Sequence, residues 1–153
     1  MTLSPATSSI ATFTIAEAAF GHEPGRWPLP SAQAPHDLWL RAVAAGGQGR
    51  YGSAETDLSE LLRCRPEPRL ASLALSTRAS FLRQLGWHWR AHDWDGRAWA
   101  RAGDDPEAGV DALIGLAADA LGVGRLAASA ALLDRAGRLV EDRDAATPRL
   151  GIR

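Results

Sequence analysis

Two histidines four residues apart, His88 and His92, stand in the segment Trp87-His88-Trp89-Arg90-Ala91-His92-Asp93-Trp94-Asp95. On a helix this spacing puts both imidazoles on one face, where they could grip one metal ion with Asp95 as a third, oxygen ligand. The set lacks the Glu that a metalloprotease places between its histidines, and the nearest other histidine is His36. Solvent-facing or interface histidines are the competing account, so the expectation is no metal and no cofactor. A small metal-dependent enzyme built on His88, His92 and Asp95 stays as the minor alternative. No glycine-flanked nucleophile elbow is present, and Cys64, between Arg63 and Arg65, has no histidine near it in sequence to act as base. The run Gly46-Gly47-Gln48-Gly49 lacks the Lys-Ser/Thr of a phosphate loop and follows a helix-like rather than a strand-like stretch. It is expected to be an interhelical turn, and the chain is expected not to be an enzyme.

Composition bounds what such residues can belong to. The 153 residues are 46% hydrophobic and 23% charged, proportions of one folded domain rather than a disordered chain. A formal net charge of −1 gives no overall field for a polyanion, so direct nucleic-acid binding is not expected. All 17 basic residues are Arg, and Ala and Gly are abundant, the bias expected of a GC-rich bacterial genome. With Cys64 alone, no intramolecular disulfide can form, which fits a reducing compartment and a cytoplasmic location. Residues 1–20 contain no Lys or Arg for a signal peptide, and the longest apolar run, Val110 to Val123, is broken by Asp111 and Asp119. Neither export nor a membrane span is expected.

The elements that must position these residues emerge from self-similarity at a fixed period. Gly49, Gly86 and Gly124 each separate two helix-like runs and lie 37 and 38 residues apart. Eleven residues before each glycine stand Leu38, Leu75 and Leu113; seven before stand Ala42, Ala79 and Ala117; four before stand Ala45, Leu82 and Ala120. These form one apolar stripe of a first helix. After the glycines, Ala54, Ala91 and Ser129 come at five, Leu58, Asp95 and Leu133 at nine, and Leu61, Ala98 and Ala136 at twelve, marking a second helix. Two helices joined by a tight turn need small residues where their axes approach, and Ala42, Ala79 and Ala117 fill that role. Breakers separate the pairs: Pro66 and Pro68, then Gly103 and Pro106, then Pro148. Asp105-Pro106-Glu107 predicts an N-cap, a proline at the first helical position and an acid in the first turn.

The order Leu38, Ala42, Ala45, Gly49, Tyr51, Ala54, Leu58, Leu61, Pro66 resembles the tetratricopeptide repeat, with its small residue in the first helix, Gly-x-Tyr turn, Ala in the second helix and closing Pro. The second unit departs from it at Asp95, where a large apolar residue is usual, and at Gly103 in place of the terminal Pro. The third has Leu126 for the aromatic and Glu141 for the Pro, and the periods exceed the usual ~34 residues. The resemblance covers roughly residues 36–142 and implies an all-α, right-handed array of about three antiparallel helix hairpins. The pairs are expected over about 36–67, 68–104 and 105–147, after an N-terminal arm, 1–35, and before 148–153, the start of a further helix or a tail. It also implies that the first helices line a concave groove. By register the groove residues are Trp39 and Val43, then Ser76, Ser80 and Arg83, then Ile114 and Ala118, with Arg78 adding a second guanidinium that could clamp a carboxylate or phosphate.

The ends and the tryptophans complete the expectations. A short helix from Thr14 to Phe20 could cap the first pair, with Phe13, Ile15, Phe20 and Trp27 folding back on it. Trp87, Ala91, Trp94 and Ala98 share a helical face and are assigned to the core, which leaves Trp89 and Trp99 as candidates for a contact surface, with Trp87, Trp89, Trp94 and Trp99 all packed inside the array as the competing account. An apolar stripe of Leu126, Leu132, Leu133, Leu139 and Val140 ends the array and favours a homodimer or packing on a further segment. The function expected is a non-catalytic scaffold that binds a protein or peptide. The resemblance leaves open an accessory helical domain of a bacterial transcription regulator, without a DNA-reading element of its own.

Overall fold

Short polar side chains and prolines set where the helices of this chain begin. The computed structural model describes residues 14–146 and holds seven helices there, with no strand among the described residues. They are α1 (Ile15–Phe20), α2 (Pro35–Gly47), α3 (Tyr51–Arg63), α4 (Pro68–Gln84), α5 (His88–Ala102), α6 (Pro106–Gly122) and α7 (Leu126–Ala146). Thr14 and Glu17 cap α1 reciprocally. The Asp37 carboxylate accepts from the N–H groups of Gln33 at 2.8 Å and Ala34 at 3.0 Å at the head of α2. Glu67 accepts from the Leu70 N–H ahead of Pro68, and Asp105 from the Ala108 N–H at 2.8 Å ahead of Pro106. Phe13 and residues 148–153, on which expectations also fell, lie outside the described residues.

The other three helices, α3, α5 and α7, start directly from turns, and these turns are alike bond for bond. Gly49, Gly86 and Gly124 take φ of 73°, 81° and 78°, in the left-handed region that glycine enters at least cost. Their N–H groups donate to the carbonyls of Gly46, Arg83 and Leu121 at 2.9, 3.0 and 3.0 Å. The following residues, Arg50, Trp87 and Arg125, donate to Ala45, Leu82 and Ala120 at 2.8, 2.9 and 2.8 Å. This pair of bonds is the Schellman closure of a helix end, and it satisfies carbonyls that the ladder leaves open.

Neighbouring helices pack in sequence from α1 to α7, and in addition α2 packs on α4 and α4 on α6. Three clusters of buried residues form the core, the largest drawing on α1 to α4. The registered positions are buried: Leu38, Leu75 and Leu113; Ala42, Ala79 and Ala117; Ala54, Ala91 and Ser129; Leu61, Ala98 and Ala136. Two positions break the pattern: Leu82, in register with the buried Ala45 and Ala120, is only half-buried, and the position nine after the glycine diverges. Leu58 and Asp95 are fully buried against the helix that follows, whereas Leu133 is 49% exposed, having no described helix after α7 to cover it. Of the stripe on α7, Leu126, Leu133 and Val140 are exposed, but Leu132 and Leu139 turn inward and pack with Leu113, Leu116 and Ala136. The arm is stitched to the first pair: Arg41 donates to the Pro30 carbonyl at 2.6 Å, Gln48 to the Arg26 carbonyl at 3.1 Å, and the Arg50 guanidinium lies 4.2 Å from the Trp27 ring centre.

Candidate functional site

The packing of α2, α4 and α6 leaves a groove of about 540 Å³ along their shared face. Seven of the residues expected there by register line it: Trp39, Val43, Ser76, Ser80, Arg83, Ile114 and Ala118. Phe20 of α1 closes one end, its ring centre 5.8 Å from that of Trp39. The Trp39 indole is held by its Nε1–H donating to Thr77 Oγ1 at 2.9 Å, while Thr77 donates onward to the Leu73 carbonyl at 2.7 Å. An aromatic wall fixed at its polar end presents a rigid apolar surface.

Arg83 sits at the centre of the groove but is not free to clamp an anion. Its Nη1 donates to Asp95 Oδ2 at 2.7 Å, to Asp119 Oδ1 at 2.8 Å and to the Gly115 carbonyl at 3.2 Å. Asp95 is 0% and Asp119 1% exposed, so one guanidinium ties α4, α5 and α6 together from inside. Ser76 is drawn in as well, donating to Asp95 Oδ1 at 3.2 Å. Burial pushes the Asp95 carboxyl up to about 7, with Arg83 opposing and the neighbouring Asp119 reinforcing the rise. Gly115 makes room for this carboxylate, since a Cβ there would lie 2.4 Å from Asp95 Oδ2. Asp95 thus occupies an apolar position of the repeat pattern because an Arg on the preceding helix reaches it.

Arg78 is not in the groove. One turn and a half before Arg83 on α4, it faces α3, where it pairs with Glu55 and donates to Ser59 at 3.0 Å. The histidine pair does not assemble with Asp95, whose carboxylate belongs to Arg83, and no group of three or more His, Cys, Asp or Glu able to hold a metal exists among the described residues. His88 packs on Gly122, where a Cβ would meet its ring at 2.3 Å. It shares a small hollow with His92 and Asp119, and His88 Nδ1 and Asp119 Oδ2 are buried without a hydrogen-bond partner.

The tryptophans also differ from expectation. Trp99 packs against α6, near Gly109, with Arg135 of α7 over its ring at 4.3 Å, so it is no free contact surface. Trp87, expected in the core, is 52% exposed because it belongs to the turn before α5 rather than to the helix. Trp89 is 60% exposed, as expected, with Arg125 over its ring at 5.1 Å.

Thr77, Gln84 and Asp111 line the groove without having been expected there from the sequence, Phe20, expected only as a cap on the first pair, lines it too, and Asp119 stands behind it. For Asp119 a signal existed: an ionisable residue inside an apolar helical run requires a partner. Asp111 differs in kind. It is exposed at the rim and has no hydrogen bond or ion pair from its side chain among the described residues. No family model, curated protein or solved structure matches this chain.

Proposed function

We propose that this chain is a non-catalytic scaffold, an array of three tetratricopeptide-like helix hairpins whose first helices bind a protein segment in the groove. The observation that carries the reading is the convergence of residues from three hairpins, Trp39 and Val43, Ser80, and Ile114 and Ala118, on one concave face. The identical turn closures support a repeated unit, as does packing of α2 on α4 and of α4 on α6. Trp39, Val43, Ile114 and Ala118 give the groove apolar sides, and the fixed positive charge is neutralised by Asp95 and Asp119, leaving Asp111 as the open charge. The segment that fits therefore offers apolar side chains and a Lys or Arg, not the acidic group that Arg83 and Arg78 suggested in sequence. Helix axes pack ~8–10 Å apart, so three abreast span about 16–20 Å, the length of an extended segment of about six residues.

Selection of random peptides displayed on phage tests this directly, run against the wild-type chain and against Ile114→Arg, which fills the groove with a cation on an exposed position. Peptides retained by the wild type and lost with Ile114→Arg are expected, enriched in apolar and basic residues. Peptides retained equally by both proteins would remove the groove as the binding site. No helix among the described residues is long and apolar enough to cross a membrane.

A further inference from the structure

A second concavity, about 650 Å³ between α3, α4 and α5, shares no residue with the groove. Arg65, Arg97 and Arg101 line it, and no Asp or Glu does. None of the three guanidiniums has a hydrogen bond or ion pair among the described residues. Arg26, Arg41, Arg69, Arg78, Arg83 and Arg143 each meet a carboxylate, whereas Arg65, Arg97 and Arg101 meet none among the described residues and share one hollow. With 17 basic against 18 acidic residues in the whole chain, three uncompensated cations around one hollow are a local departure from balance.

The hollow is also shaped for something other than water. Leu62, Ala71 and Leu75 give it an apolar floor and Trp94 a wall, and the Arg97 guanidinium lies 4.6 Å from the Trp94 ring centre, as does that of Arg78. Arg65 carries an independent sign. Its φ is 49°, the left-handed conformation that glycine fills at the turns after α2, α4 and α6. Here the residue has a Cβ and precedes Pro66, both of which make this backbone costly. Strained non-glycine residues of this kind gather at ligand sites, where the surroundings hold them in place.

We propose that this hollow binds a small phosphate monoester whose organic group is apolar. Three guanidinium forks offer paired N–H donors to the oxygens of a dianion, while a carboxylate carries one charge and needs one fork. The organic group lies on Leu62, Leu75 and Trp94, and the volume falls within the ~300–1,000 Å³ typical of small-molecule sites.

Calorimetric titration of the full chain with phenyl phosphate, in chloride buffer free of other oxyanions, tests the site. Saturable binding of one molecule per chain is expected, with inorganic phosphate weaker and benzyl alcohol inert. Arg97→Gln and Arg101→Gln should each weaken binding by about tenfold, while Arg90→Gln, outside the hollow, changes nothing. All three positions are exposed on α5, and the melting curve of each variant checks that it folds. Absence of saturable binding, binding untouched by Arg97→Gln and Arg101→Gln, or equal binding of benzyl alcohol would overturn the proposal. A phosphotyrosyl peptide that bound far more tightly than phenyl phosphate would do so too, by assigning the hollow to a protein partner.

Discussion

Arg83 carries more of this structure than any surface ion pair can, because its two carboxylate partners are shut off from water. Exposed pairs such as Arg26–Glu23 contribute ~0–1 kcal/mol, but removing one member of a buried set leaves the others uncompensated. Arg83→Met is therefore expected to destabilise the chain by roughly 3–5 kcal/mol, read as a lower urea midpoint. Asp95 adds a pH dependence of definite sign. Its carboxyl rises from 3.8 to about 7 on folding, so its contribution is fully present below about pH 4 and lost as pH climbs through 7. Between pH 5 and pH 8 the wild type should lose about 2 kcal/mol relative to Asp95→Asn, which cannot titrate. Urea unfolding of both proteins at the two pH values checks this, and a constant difference between them would contradict it. Asp95 was visible in the sequence as a misfit at a large apolar position. Its partner was not, because Arg83 stands 12 residues earlier on α4 and only the packing of α4 on α5 brings it to Asp95.

At the scale of elements, periodicity placed the helices and small residues, while faces near helix ends were harder to read. Gly49, Gly86 and Gly124 were legible because a turn that needs positive φ leaves a glycine at a fixed offset. Trp87 and Trp99 depart from the expectation for two reasons: Trp87 belongs to the turn before α5 and so does not follow its helical phase, and α7, which covers Trp99, comes much later in the chain. The same unseen neighbours sorted Leu132 and Leu139 inward and left Leu133 out. Stability should follow this sorting. Leu61→Ala, at a fully buried site, is expected to cost about 2–5 kcal/mol, and Leu133→Gln within ~0.5 kcal/mol of nothing. Gly86→Ala, forced to hold φ at 81°, should cost about 1–2 kcal/mol despite open space around its Cβ. Thermal unfolding of the three variants compares them under one condition.

Across the whole molecule, the packing of α2 on α4 and of α4 on α6 brings Trp39 beside Thr77 and sets both along one groove with Ile114. The groove draws side chains from each of α2, α4 and α6, so under the proposed function its affinity would rest on position rather than on any single motif. That is why its residues were legible from register alone, whereas the charge of the groove was not: Arg83 faces the right way and is already neutralised. It also separates the groove from the Arg65, Arg97 and Arg101 hollow, which lies on other helix faces. The proposed function places a peptide on the face shared by α2, α4 and α6. The amide and indole NMR spectrum, recorded while a phage-selected peptide is titrated into the full chain, tests it most directly. The Trp39 indole and the backbone amides of Ser80, Gly115 and Ile114 should shift together and saturate, with the Trp89 indole unmoved. Shifts confined to Trp89 and α7, with Trp39 still, would contradict the account.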